Sequence, residues 1–211
     1  MTKLGKYLVI EGLEGAGKTT AMKTIKRFLT EHNINYITTR EPGATTVGEA
    51  VRSLIKDTEV KESMDPRTEL LLFYAARIEL LEKVIKPALR DGTWVLSDRF
   101  ELSSFAYQGG GRQLDENMLY SLSAFCVKNI NPDLVFFLDI KPEIGLERAK
   151  KRGKLDRIEN ESADFFRNVY LSYHKYLKHL KNVAVIDASK PLSVVQGLIR
   201  ERLNYAITEL V

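Results

Sequence analysis

Five short apolar runs, "YLVIE", "YITT", "WVLSD", "LVFFLDI" and "VAVID", recur along the chain, and the stretches between them carry helical spacing. Strand and helix alternating in this way predict an α/β fold, a parallel sheet covered by helices on both faces. From Asp65 to Arg90, Leu71, Tyr74, Ile78, Leu81 and Ile85 recur at steps of three and four, which predicts one long amphipathic helix with these residues on its core stripe and Phe73 and Arg77 on an adjacent one. Arg77, Glu79, Glu82 and Lys83 interrupt this most apolar segment, so it reads as a core helix and not a membrane span. The glycine cluster "QGGGR" at 108–112 reads as a helix stop followed by a turn. No repeat, low-complexity tract or Pro/Gly/Ser linker divides the chain, and 211 residues suit a single domain over 1–211.

Composition changes little. Hydrophobic residues at 44% and charged residues at 28% describe an ordinary globular chain. The net charge of +4 suits anionic ligands, yet 28 acidic residues are dispersed among 32 basic ones, and no polybasic nucleic-acid stripe stands out. Strand-like sequence begins almost at once, without room for a signal peptide, so the expectation is a cytoplasmic protein. The single cysteine, Cys126, sits in the helical-looking "LYSLSAFCVKNI" without a basic partner to activate it, and reads as a buried structural residue.

The candidate chemistry starts at "GLEGAGKT", a complete match to the pattern of glycine, four residues, then Gly-Lys-Thr, with a strand before it and the helix "TTAMKTIKRFL" after it. Glycines let the backbone wrap phosphate oxygens, the helix N-terminus favours anions, Lys18 reaches the β- and γ-phosphates, and Thr19 offers a magnesium ligand. An ATP or GTP site follows. In "TWVLSDRF", Asp98 ends an apolar strand, where it can hold magnesium or its water, or else cap the following helix. Arg40 ends the second strand, Arg77 lies on the long helix and Arg99 follows Asp98. Each alone reads as a surface residue, but together they could converge on a second anion, because the guanidinium fork suits phosphate. In "GLERAKKRGKLDRIE", Arg148, Lys151 and Arg152 share one helix face, either as a solvated charge run or as a source of charge for the reaction. The second reading gains from the loop's variable residues, Leu13, Glu14, Gly15 and Ala16, which include no arginine.

With these residues in view, the chain resembles the bacterial thymidylate kinases, P-loop nucleoside monophosphate kinases, nearly end to end. The marks are "EGLEGAGKTT", "TREPG", "LLFYAAR", "SDRFELSSFAYQG" and "RGKLDRIE" in order, and the resemblance is to the branch with a basic lid and no arginine in the phosphate loop. It implies a three-layer α/β/α fold with a five-stranded parallel sheet, a short lid over about 148–160, and a homodimer. It also implies transfer of the γ-phosphoryl group of ATP to dTMP with Mg2+, on the route to dTTP, and small-molecule partners only, with no nucleic acid and no membrane. By resemblance, Gly12, Leu13, Glu14, Gly15, Ala16, Gly17, Lys18, Thr19 and Thr20, with Arg148 and Arg152, hold ATP, and Thr19 and Asp98 hold the metal. Phe73 stacks on thymine, Arg77 and Gln108 contact the base, and Ser104, Tyr107, Glu41 and Pro42 complete the acceptor site. Arg40 and Arg99 hold the acceptor phosphate, with Arg52 a weaker candidate, and Lys18, Arg40, Asp98, Arg99 and Arg152 form the catalytic set. Phe100 departs from the family, which often has Tyr or His there. Glu14 is expected to point toward the acceptor and accept from the sugar 3′-hydroxyl, the alternative being a solvated turn cap. Outside this family, the competing readings are a kinase for another pyrimidine monophosphate or a deoxynucleoside, a nucleotide switch protein, and a nucleic-acid-binding ATPase.

Overall fold

The computed structural model describes residues 4–59 and 63–210. Its five strands are β1 (Tyr7–Glu11), β2 (Tyr36–Arg40), β3 (Trp94–Asp98), β4 (Leu134–Asp139) and β5 (Val183–Asp187). They form one sheet in the order β2-β3-β1-β4-β5, every pair parallel. The centre and the edges differ as their sequences do. β1 is buried along its whole length, whereas the edge strands β2 and β5 are largely half-buried or exposed. A central strand in a doubly covered sheet has no solvent face, which is why "YLVIE" and "LVFFLD" read as unbroken apolar runs.

Alternate residues of β1 serve the two layers. Leu8 and Ile10 face one core with Phe136, where α1 (Lys18–Glu31), α8 (Ala163–Leu177) and α9 (Leu192–Leu210) supply Ile25, Phe28, Val169 and Leu203. Tyr7 and Val9 face the other with Val95 and Val135, closed by α3 (Pro66–Leu80), α4 (Lys86–Arg90) and α6 (Glu116–Cys126) through Leu70, Tyr74 and Leu119. Each fully buried Leu, Ile, Val or Phe contributes about 1.5–3 kcal/mol. Cys126 is buried as expected. α2 (Thr46–Lys56) lies against α3, and its start is capped by Thr45, which accepts from the Gly48 N–H at 3.0 Å. Asp65 caps α3 from ahead of Pro66, accepting from the Arg67 N–H at 2.8 Å.

One expectation is corrected. The 65–90 segment is not one regular helix: a π-helical stretch, Leu81–Ile85, joins α3 to α4. Its buried stripe runs through Leu70, Tyr74, Arg77 and Leu81, while Leu71 is 56% exposed and Ile78 only half-buried. The three consecutive leucines of "ELLL" fit either phase, and tertiary packing selects Leu70. The cluster "QGGGR" does end a helix, at its last glycine, with a bend at Arg112. The short α5 (Glu101–Ser104) continues as a second π-helical stretch through Gly111. These glycines serve close packing on α8, since a Cβ on Gly110 would lie 2.4 Å from Ser172 Cβ and one on Gly111 2.5 Å from the Phe165 ring. Among the described residues no helix is long and apolar enough to cross a membrane.

Candidate functional site

The loop between β1 and α1 lies at the carboxyl edge of the sheet, where open parallel sheets bind ligands. Its conformation depends on glycine. Gly15 has φ +71°, and a Cβ there would sit 2.1 Å from the Gly145 carbonyl oxygen. Gly145 belongs to α7 (Pro142–Arg152), where its own Cβ would meet the Glu14 carbonyl oxygen at 2.5 Å. The pair of glycines brings α7 against the loop. Gly145 was not singled out from the sequence, although a glycine inside a helical stretch, costing about 1 kcal/mol relative to alanine, is a signal of its kind.

The loop opens onto a cleft of about 700 Å³. Glu14, Gly15, Gly17, Lys18 and Thr19 line one end, and Arg40, Glu41, Pro42, Arg52, Phe73, Arg77, Asp98, Arg99, Ser104, Tyr107 and Gln108 line the rest, with Arg148 and Arg152 from α7. Of the expected residues, Gly12, Leu13, Ala16 and Thr20 do not face it. Leu13 and Ala16 put their side chains into the core instead, anchoring the loop from behind. Lys151, on the face expected of Arg148 and Arg152, pairs with Glu147 at 2.6 Å and is 74% exposed, a solvated residue outside the cleft.

Glu14 is not a solvated cap. Its carboxylate accepts from Arg99 Nη2 at 2.6 Å and from the Tyr107 hydroxyl at 2.5 Å, so it spans from the loop to the far wall. Burial opposes its charge, but Arg99 and Lys18 outweigh burial and hold the carboxyl below its ordinary range. Arg99 also donates to Ser103 Oγ, at 3.0 Å, and to the hydroxyls of Tyr173 and Tyr107, both at 3.1 Å. Its backbone is left-handed at φ +71°, a conformation costing a non-glycine residue about 1–2 kcal/mol. Glu11 holds that turn. Fully buried at the end of β1, it accepts from the N–H groups of Phe100 (2.9 Å) and Ser103 (3.3 Å), from Ser103 Oγ (2.6 Å) and from the Tyr173 hydroxyl (3.0 Å). Burial pushes its carboxyl upward despite the nearby Arg99. Glu11 escaped the sequence reading, though a carboxylate ending an apolar strand is a visible mark.

Lys18 Nζ donates to the carbonyl oxygens of Gly12 (3.0 Å) and Leu13 (2.8 Å). Burial and the Arg99 charge lower its ammonium to about 8. Asp98 Oδ1 is buried and makes no hydrogen bond. Arg40 is engaged twice by Glu49, at 2.6 and 2.8 Å, and Arg52 donates to the Pro42 carbonyl at 3.0 Å.

Arg77 is 1% exposed and paired with Glu41, whose Oε2 accepts from Nε at 2.8 Å and lies 2.7 Å from Nη2. Burial pushes the Glu41 carboxyl up to about 7 against that pull. Arg77 Nη2 also donates to Ser104 Oγ at 3.0 Å, while Nη1 is buried without a partner. Phe100, where the family often has a polar ring, is buried and packs edge-on against Tyr7 with centroids 5.2 Å apart.

The segment after α7 returns over the cleft onto α2. Asp156 accepts from Lys56 at 2.5 Å, and Arg157 donates to the Ile55 carbonyl at 2.7 Å and to Glu69 at 2.5 Å. Arg152 pairs with Glu159, and Arg148 donates to the Ala188 carbonyl at 2.9 Å. Lys56, Lys154, Asp156 and Glu159 also line the cleft, and sequence reasoning missed them. Nothing in their local pattern separates them from the surrounding charged residues.

A phosphate-binding loop, an arginine-rich far wall and a basic hairpin over one cleft define a nucleoside monophosphate kinase. The sequence model of the family described as thymidylate kinase matches residues 10–199. A thymidylate kinase of Legionella pneumophila strain Corby is 54% identical over 196 residues, covering 93% of this chain and 92% of that protein. Another, of strain Paris, is 53% identical over the same shares. The chain belongs to the thymidylate kinase family.

Proposed function

We propose that this chain transfers the γ-phosphoryl group of ATP to dTMP, giving dTDP and ADP. The observation that carries the reading is that one cleft joins the phosphate loop to a wall of Arg99, Arg77, Phe73 and Gln108, two ends suited to a donor and an acceptor. In it an acceptor phosphate oxygen forms the new bond to the γ-phosphorus as the bond to the β-phosphate bridging oxygen breaks, and ADP leaves. Lys18 and the loop amides, with Thr20 behind them, hold the donor phosphates. Arg99 and Arg40, aided by Arg52, hold the acceptor phosphate once Glu14 and Glu49 yield them. Phe73 stacks on the base, Arg77 and Gln108 read its edge, Tyr107 and Ser104 line the sugar, and Glu14 accepts from the 3′-hydroxyl. Residues 148–160 act as the lid, within a single domain over 1–211, and Arg152 supplies the positive charge that the loop lacks.

Mg2+ fits the residues at the loop. Asp98 has a buried, unpartnered carboxylate oxygen beside it, Thr19 offers a hydroxyl, and no cluster of three or more acidic, His or Cys ligands exists among the described residues. That suits an ion held by one or two protein groups and phosphate oxygens, which when bound offsets charge on the transferred group. Exposed Val47 and Leu54 of α2, Leu71 of α3, and Met118 and Phe125 of α6 lie on neighbouring helices and support a homodimer. Use of ATP and dTMP supports a cytoplasmic place. A coupled ADP-release assay with dTMP, dUMP, dCMP and thymidine tests the function. Turnover fastest with dTMP is expected, and none with dTMP would overturn the reading.

A further inference from the structure

A glutamine side chain can show a ligand either its carbonyl oxygen or its amino group, so Gln108 carries no specificity until something orients it. Glu69 does so. Its carboxylate, 1% exposed on the first turn of α3, accepts from Gln108 Nε2 at 2.8 Å. It is also held by Arg112, through Nε at 3.2 Å and Nη2 at 3.0 Å, and by Arg157 Nη2 at 2.5 Å. Burial opposes the Glu69 charge, but Arg112, Gln108 and Arg157 more than compensate, so its carboxyl lies below the ordinary range and the group only accepts. Turning the Gln108 amide over would set oxygen against carboxylate oxygen in a buried place and lose a charge-assisted bond. With one N–H fixed on Glu69, the Gln108 oxygen is left as the acceptor for a ligand, beside the second N–H, and no hydrogen bond of the described residues engages that oxygen.

Arg77, on the same wall, is arranged in the opposite sense. Glu41 and Ser104 take Nε and Nη2, and Nη1 remains as a buried donor without a partner. One donor and one acceptor together match a pyrimidine with a carbonyl oxygen at C4 and a hydrogen on N3. A 4-amino pyrimidine presents the reverse, a donor amine beside a bare ring nitrogen. We infer that Glu69, without touching the substrate, is a positioning residue that sets the preference for 4-oxo over 4-amino pyrimidine nucleotides by holding the Gln108 oxygen toward the base. This rests on the reading above that the acceptor base lies between Arg77 and Gln108.

The test compares kcat/KM for dTMP and dCMP in the parent, Glu69→Gln and Arg112→Met. An amide at position 69 can accept or donate, which frees Gln108 to turn. In Glu69→Gln the dTMP/dCMP ratio should fall by about tenfold or more, through KM, with kcat for dTMP little changed. Arg112→Met removes ion pairs of the same network but keeps the bond between Glu69 and Gln108, so it should lower thermal stability and leave the ratio within about twofold. An unchanged ratio in Glu69→Gln, or an equal fall in both variants, would overturn the inference. A side-chain amide NMR spectrum of the isotopically labelled parent tests it without any variant. The Gln108 amide protons should be held in one orientation and protected from exchange, with and without dTMP, and a freely averaging amide would refute the assignment. That spectrum needs no turnover, so failure of the parent to phosphorylate dTMP, which would sink the functional reading, is distinguished from failure of this one.

Discussion

At the scale of single residues, the carboxylate inside the phosphate loop has a physical account. A negative charge aimed at donor phosphates would be repelled, but Glu14 reaches across to Arg99 and Tyr107 on the far wall of the cleft. A carboxylate built to accept from a hydroxyl rejects ligands lacking one, because it is then left desolvated and unpaired. The parent should therefore disfavour 3′-deoxythymidine monophosphate, and Glu14→Ala should shrink the ratio of kcat/KM between dTMP and that analogue. A ratio unchanged by Glu14→Ala would remove Glu14 from sugar recognition. Lys18 gives a pH prediction. Its ammonium, lowered to about 8 by burial and Arg99, is charged below that pH and neutral above it, and only the charged form attracts phosphate. With dTMP well below saturation, kcat/KM for ATP should decline above about pH 8, whereas kcat should hold to higher pH because bound phosphates raise the ammonium's pKa. Coincident alkaline limbs for the two parameters would count against this assignment.

At the scale of elements, the hairpin after α7 carries its own test. In the free enzyme Arg152 pairs with Glu159 and is 61% exposed, while Asp156 and Arg157 tie the hairpin to α2 and α3. Exchanging Glu159 for a phosphoryl group frees the half-exposed guanidinium but leaves the buried Glu159 carboxylate with the Asp156 N–H at 3.2 Å, so the exchange needs the phosphoryl charge to outweigh that loss. Because the loop offers no arginine, Arg152→Ala should lower kcat by roughly 10³–10⁵, or less if Arg148 substitutes in part. A kcat within about threefold of the parent would show that Arg152 is not the charge stabiliser. The π-helical stretch Phe105–Gly111 belongs to this scale too. It sets Tyr107 and Gln108 in the cleft wall while its glycines let α8 approach, so the wall and the core behind it are built from one segment.

For the whole molecule, the exposed apolar side chains of the neighbouring helices α2, α3 and α6 are the surface a second copy would cover. Leu71 and Phe125 are 56% and 73% exposed. A second copy placed there buries them, and a stable interface needs about 1,200 Å² or more in total. Sedimentation should give twice the 24.0 kDa chain mass, and Leu71→Lys with Phe125→Lys should shift the protein to monomer. A parent that sediments as a monomer at micromolar concentration would end the dimer reading.

Much of this protein is decided locally, and that part is legible in the sequence. The strand–helix alternation, the loop at 12–19 and the strand-end positions of Arg40 and Asp98 follow from periodicity and from the narrow geometry a glycine-rich phosphate loop allows. What the tertiary structure alone decides are relations between distant positions. The phase of the α3 stripe, Leu70 over Leu71, depends on what the sheet offers it. The role of Gly110 and Gly111 depends on α8 arriving from more than fifty residues further on. Glu11 and Glu69 look like ordinary acids in apolar surroundings until the fold closes over them. A buried carboxylate must find donors, and those donors, Ser103 and Tyr173 for one, Gln108, Arg112 and Arg157 for the other, come together only in three dimensions.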